Sequence, residues 1–153
     1  MFILAALYHF TPFEDPAAMQ GPLQDICREN GISGSLLIAR EGINGTIAGH
    51  RAGLDTVLGY IRALPGCATL GWKESTAASQ PFARMKVKLK KEIVTMGQPD
   101  VDPRAHVGNY VEPEDWNELI LSEDVAVIDT RNDYEVAIGT FEGAVDPMTA
   151  SFR

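Results

Sequence analysis

The sequence is poor in the residues from which small active sites are usually built. Its two cysteines, Cys27 and Cys67, form neither a CxxC pair nor part of a Cys/His ligand spacing. They read as reduced structural thiols of a cytoplasmic protein, and neither has the electropositive neighbours that make a nucleophile. The three histidines, His9, His50 and His106, are scattered, so no metal site is expected. No apolar run is long enough to span a bilayer, and no membrane partner is expected. The apolar opening MFILAALY lacks a basic flank and runs into HFTPFEDP without a cleavage site; it reads as a buried first strand and not as a signal peptide. The glycines of EGINGTIAG, residues 41–49, match neither GxGxxG nor a GK[ST] ending, so a hairpin is a better reading than a nucleotide loop. No internal repeat, low-complexity tract or cofactor motif is visible.

What is present is a globular composition with an uneven charge. Hydrophobic residues make up 45% and charged residues 22% of the 153, as in soluble domains. Residues 1–99 carry 10 Lys and Arg against 8 Asp and Glu, a balance of +2; residues 100–153 carry 3 against 13, a balance of −10, within a net −8. The stretch Gln98-Pro99-Asp100-Val101-Asp102-Pro103 reads as a connection at that shift. Three segments are expected: a domain over 1–98, a linker over 99–109 and a second unit over 110–153.

In the first segment, residues 2–9 read as a strand. Asp15-Pro16 starts a helix, with Asp as cap and Pro in the first turn, and Asn30-Gly31 stops it. Pro22 leaves open a kink or a later start. Ser35 to Ala39 is a second strand; Asn44-Gly45 supplies a turn into a third strand at Thr46-Ile47-Ala48. Leu54, Val57, Leu58, Ile61 and Leu64 recur at helical spacing before Pro65-Gly66. Leu70 to Glu74 is a fourth strand. The order β-α-β-β-α-β predicts an α+β, ferredoxin-like domain, an antiparallel four-stranded sheet with both helices on one face. Acylphosphatases share this topology and use an arginine in the loop after the first strand. Here that loop, Thr11-Pro12-Phe13-Glu14-Asp15, has no basic residue, which argues against that activity.

An added strand, 84–92, is the most informative piece. In RMKVKLKK, Arg84, Lys86, Lys88 and Lys90 alternate with Met85, Val87 and Leu89. Side chains alternate across a strand, so one apolar face meets the sheet and one cationic face points outward. Lys91 adds a fifth charge. Lysines also protect edge strands from aggregation, but four in strict alternation in an acidic chain favour a surface that tracks nucleic-acid phosphates. Trp72 and Phe82 are candidates to stack on bases, with core packing an equal reading for Trp72.

In the second unit, VEPEDWNELIL, residues 111–121, reads as a helix with Pro113 in its first turn and acids where the dipole favours them. A strand, Val125 to Ile128, follows. Asp129 and Arg131 stand at its C-terminal end, where α/β sheets bind ligands. They are candidates for catalysis or for an ion pair that fixes the loop; the ion pair is the preferred reading.

The segment IDTRNDYEVAIGTFEGA, within Tyr110–Val145, resembles the first half of a rhodanese-like domain: a helix, a strand ending in Asp-x-Arg, an acidic Tyr-Glu segment and Gly-x-x-x-Gly-Ala. Thr140 stands where many rhodaneses have histidine. Together with LYHFTPFEDP, LLIAREGINGTIAG and FARMKVKLKKEIVTMGQPDVDP it resembles the bacterial rhodanese-containing tRNA uridine hydroxylases over essentially the whole chain. The resemblance implies an enzyme that forms 5-hydroxyuridine at the wobble position of tRNA with molecular oxygen as co-substrate. It also implies a reactive cysteine in a loop beyond Arg153, so these 153 residues are expected to be a truncated, inactive form. A rhodanese-type sulfurtransferase and a non-catalytic interaction module are the alternatives.

Overall fold

A computed structural model describes residues 1–94 and 108–150. The chain divides into two compact units, Met1–Val94 and Thr95–Arg153. The linker expected at 99–109 lies almost entirely outside the described residues.

The first unit runs β1 (Phe2–Phe10), α1 (Pro16–Glu29), β2 (Ser33–Ala39), β3 (Gly42–Gly49), α2 (Arg51–Ala63), β4 (Trp72–Ala77) and β5 (Met85–Leu89). The sheet order is β4-β1-β3-β2-β5. The first four strands pair antiparallel, and β5 joins β2 in parallel. This is the ferredoxin-like arrangement with one strand added at the β2 edge.

Local chemistry accounts for the helices. The Asp15 carboxylate accepts the Ala18 N–H at 3.1 Å and caps α1, satisfying one of the donors a helix start leaves unpaired. The helix begins at Pro16 and continues through Pro22. Both helices bury one stripe: Leu23 and Cys27 from α1, and Leu54, Val57, Leu58 and Ile61 from α2. They meet Ala5, Leu7, Leu36, Ile38, Ile43, Ile47 and Val87 from the sheet. Each fully buried aliphatic side chain is worth about 1.5–3 kcal/mol.

Two sequence expectations shift. The β2–β3 turn is Arg40-Glu41, not Asn44-Gly45, which lies inside β3. Register explains it: this turn sets Leu36, Ile38, Ile43 and Ile47 on the helix side together, and burying that set outweighs the turn preference of Asn-Gly. Gly45 is needed for a different reason, since a Cβ there would meet the Ser35 carbonyl oxygen of the neighbouring strand. The fourth strand is Trp72–Ala77, and Leu70 is buried ahead of it.

In the second unit, α3 is Pro113–Ile120 and α4 is Asp133–Ile138. The strand expected at Val125–Ile128 is reduced to one parallel bridge, Ile128 with Val145. The Val145 N–H donates to the Val127 carbonyl at 2.8 Å and the Asp129 N–H donates to the Val145 carbonyl at 3.0 Å. With α4 in the connection, this is a βαβ unit in miniature. A strand extends only where a neighbour takes its next hydrogen bonds, and Ile128 and Val145 remain 59% and 56% exposed.

Candidate nucleic-acid interface

Strand β5 lies at one edge of the first unit, and its two faces differ. Met85 and Val87 join the core, Val87 at 6% exposure. Alternation therefore sends Lys86 and Lys88 to the face of the sheet that carries no helix. Arg84 and Lys88 are exposed and Lys86 is half-buried. Leu89, expected against the sheet, is 46% exposed because it ends the strand.

The five basic residues do not make one line. The chain leaves the strand after Leu89, and Lys90 and Lys91 line a groove of about 640 Å³ with Arg40, the last strand residue Leu89 and the first turn of α1. Glu14 and Asp15 line it too, so this second basic group has acidic neighbours. Lys86 and Lys88 stay together on the strand, with Arg84 just ahead of it. Among the described residues, none of Arg84, Lys86, Lys88, Lys90 and Lys91 is in an ion pair.

The free edge of β5 carries a feature that sequence reasoning missed. The Gln24 side chain accepts the Val87 N–H at 2.9 Å and donates to the Met85 carbonyl at 3.4 Å. The Gln20 amide donates to the Val87 carbonyl at 2.8 Å. Two glutamines one helical turn apart on α1 thus occupy the backbone groups that an edge strand leaves open. The spacing Gln20…Gln24 is in the sequence, but only the packing of α1 on β5 gives it meaning. It also relieves the lysines of sole responsibility for guarding the edge, which favours a different use for them.

The aromatic candidates part company. Trp72 points to the helix side, where the Arg62 guanidinium lies 4.3 Å from its ring centre and its N–H donates to Glu74 at 2.9 Å. Trp72 therefore serves the packing of β4 on α2. Phe82 is half-buried in the connection before β5.

In the second unit, Asp129 and Arg131 come together as an ion pair. The guanidinium donates to both carboxylate oxygens, Nε to Oδ1 at 2.9 Å and a terminal nitrogen to Oδ2 at 2.6 Å. The Thr140 hydroxyl donates to Oδ2 at 2.7 Å, and Arg131 also reaches the Gly139 carbonyl at 2.6 Å. Hydrogen bonds from Arg131 and then Thr140 hold the Asp129 carboxyl well below its ordinary range, and the carboxylate pushes the Arg131 guanidinium up. A carboxylate with both oxygens engaged is a poor base. The arrangement fixes the loop after Ile128 to the loop after α4, and Thr140 occupies a structural position in it. Arg131, Gly139, Thr140 and Phe141 line a shallow groove of about 460 Å³.

Both cysteines are buried in the first unit. Burial pushes the Cys27 thiol up to about 12 and raises Cys67 as well, so neither supplies a thiolate near neutral pH. Among the described residues no group of three His, Cys, Asp or Glu is placed to hold a metal ion, and no helix is long and apolar enough to cross a membrane.

The model of the UPF0176 acylphosphatase like domain matches residues 2–93, the whole five-stranded unit up to its last described turn. The chain belongs to the UPF0176 family. The match is to a domain fold; the loop after β1 in this UPF0176 domain still lacks a basic residue. Curated relatives extend the likeness across both units. A Ruegeria pomeroyi protein named tRNA uridine(34) hydroxylase is 70% identical over 153 residues, 100% of this chain and 51% of that protein. One of the same name from Gluconobacter oxydans is 67% identical over 150 residues, 98% of this chain and 48% of that protein. A third, from Roseobacter denitrificans, is 63% identical over 152 residues, 99% of this chain and 51% of that protein. The chain spans about half the length of the curated relatives it matches.

Proposed function

We propose that these residues are the N-terminal part of an oxygen-dependent tRNA uridine hydroxylase that forms 5-hydroxyuridine at the wobble position, with β5 contacting tRNA. One observation carries the reading: identity of 60–70% along the whole chain to proteins named for that activity. The geometry is compatible with it, because Lys86 and Lys88 on β5, with Arg84 just ahead of it, have no carboxylate partner among the described residues while their apolar neighbours hold the strand.

Residues 110–153 are read as the first half of a rhodanese-like domain. A parallel bridge with a helix in its connection, Asp129 and Arg131 at the strand end, and apolar Ile128 and Val145 half open to solvent support this. The two cysteines are buried in the other unit, so turnover by these 153 residues alone is not expected. Catalysis is assigned to a cysteine loop outside them.

The tRNA contact is tested by binding at several salt concentrations. Alternate side chains along a strand are about 6.5–7 Å apart, so Arg84, Lys86 and Lys88 can each meet a phosphate of one extended strand. Each such contact releases counterions, with a log–log salt slope of roughly −0.7 on single strands. Three contacts give a slope near −2. Lys86→Ala with Lys88→Ala is expected to reduce it to about −0.7, with little change in thermal stability. A wild-type chain whose tRNA binding does not respond to salt refutes the contact. The activity is checked separately: a protein extending these residues to the length of the relatives should convert uridine to 5-hydroxyuridine in tRNA, read by nucleoside mass spectrometry.

A further inference from the structure

The helix-free face of the sheet has a composition that edge protection and core packing leave unexplained. The strand registers place Lys73, Ala6, Thr46, Ser35 and Lys86 in one row across all five strands. The next row holds Tyr8, Asn44, Leu37 and Lys88. Strands lie about 4.8 Å apart, so Lys73 and Lys86 bracket the face at roughly 19 Å. Every strand position directed to this face is apolar, neutral or lysine; within β1–β5 none is a carboxylate, although the chain carries a net −8.

On the Lys73 side of this face lies a groove of about 480 Å³, lined by Ala6, Tyr8, Asn44, Gly45, Thr46 and Lys73 among others. Its floor is small: Ala6 and Gly45 bring the backbone plane within reach of a flat ligand. Tyr8 stands at its side, 47% exposed, with Phe10 set edge-on against the ring at 5.0 Å and 77°. That contact holds the tyrosine ring in place. The Asn44 amide is tied to the Ile93 carbonyl at 2.9 Å, which fixes its side chain at the far wall. Ile93 itself is 2% exposed and its N–H donates to the Glu41 carboxylate.

A flat floor, a supported aromatic ring, a fixed amide and flanking lysines, with no carboxylate at the strand positions of this face, describe a surface for a planar, polyanionic ligand. Single-stranded RNA is recognised by stacking unpaired bases on aromatic side chains of open sheets while lysines meet its phosphates. We propose that this groove takes one unstacked RNA base against Tyr8, with Lys73 meeting a phosphate beside it and Lys86 a phosphate farther along the same strand. The inference rests on the reading of the chain as an RNA-contacting part of a hydroxylase, and adds a base site on a different strand from the phosphate contacts.

The test uses the 153-residue chain and two labelled probes, a uridine hexanucleotide and an abasic hexamer with the same ribose-phosphate backbone, read by fluorescence anisotropy at low salt. The wild-type chain is expected to bind the uridine probe more tightly than the abasic one. Tyr8→Leu should lose about 5- to 150-fold in affinity for the uridine probe, the range of one base–aromatic stack. It should leave abasic binding and the salt slope unchanged, and Tyr8→Phe should retain the wild-type preference. Circular dichroism of Tyr8→Leu reports whether the sheet is intact, and the Tyr8→Phe comparison does not depend on it. Equal binding of the two probes by the wild-type chain overturns the base site. So does an intact Tyr8→Leu variant that binds as wild type. In either case, lysine- and salt-dependent tRNA binding would leave the β5 contact standing; absence of all RNA binding would remove the base site and the β5 contact together, and the hydroxylase activity is checked separately on the longer protein.

Discussion

Replacing Gln24 by Ala isolates the cover that α1 places over the β5 edge. The variant loses the acceptor for the Val87 N–H, bound at 2.9 Å, and a longer contact of 3.4 Å to the Met85 carbonyl. Val87 is 6% exposed, so water has poor access to the orphaned N–H. A buried donor without a partner costs about 1–3 kcal/mol, and the 3.4 Å contact adds little. Alanine is the better helix former, so α1 itself should not be weakened. A loss of about 2 kcal/mol in a unit of this size lowers Tm by roughly 8–16 °C. The Val87 amide should exchange faster in proportion, by about 30-fold. Gln24→Glu keeps the acceptor and should retain most of the protection. Calorimetry and hydrogen exchange together read both effects. If Val87 exchanges as in the wild type and Tm is unchanged in Gln24→Ala, the glutamine does not hold the edge.

Three further outcomes are expected. Arg51 donates to Glu74 through two nitrogens, and with Trp72 it lowers the Glu74 pKa from 4.5 to about 2; the stabilisation is present above about 4.5 and is lost as pH falls toward 2, so Glu74→Gln should flatten the acid side of a stability–pH curve. Asp129 is depressed in the same sense by Arg131 and Thr140, so the stability it lends the second unit is full above the ordinary carboxylate range and is lost progressively as pH falls through and below that range. Fluorescence of Trp116, whose ring lies 5.4 Å from Phe141, in a Trp72→Phe background should report it, and Asp129→Asn should show a lower plateau without that acid step. Cys27 and Cys67 should resist iodoacetamide at pH 8 in the folded chain and react fully in denaturant; rapid native labelling of Cys27, with its thiol at about 12, would show that the core opens.

Much of the fold was determined by local patterns in the sequence. Asp15-Pro16 and Asn30-Gly31 mark both ends of α1, and the spacing Leu54, Val57, Leu58, Ile61 marks the buried stripe of α2, because caps and helical periodicity act within a few residues. The alternation from Arg84 to Leu89 identifies a two-faced strand for the same reason. Tertiary structure decided what those elements face. The hairpin turn moved from Asn44-Gly45 to Arg40-Glu41 because register is set by burying isoleucines on a shared face, a sum over two strands. Trp72 became a packing residue because α2 presents Arg62 to it. Val125–Ile128 shortened to one bridge because a strand needs a neighbour along its length. Lys73 and Lys86, distant in sequence, share a row only through four strand pairings, and Gln20 and Gln24 gain their role only where α1 crosses the open edge of β5. Hydrogen-bond partners and charge neighbours are properties of space, and a linear pattern specifies them only after the chain has closed on itself.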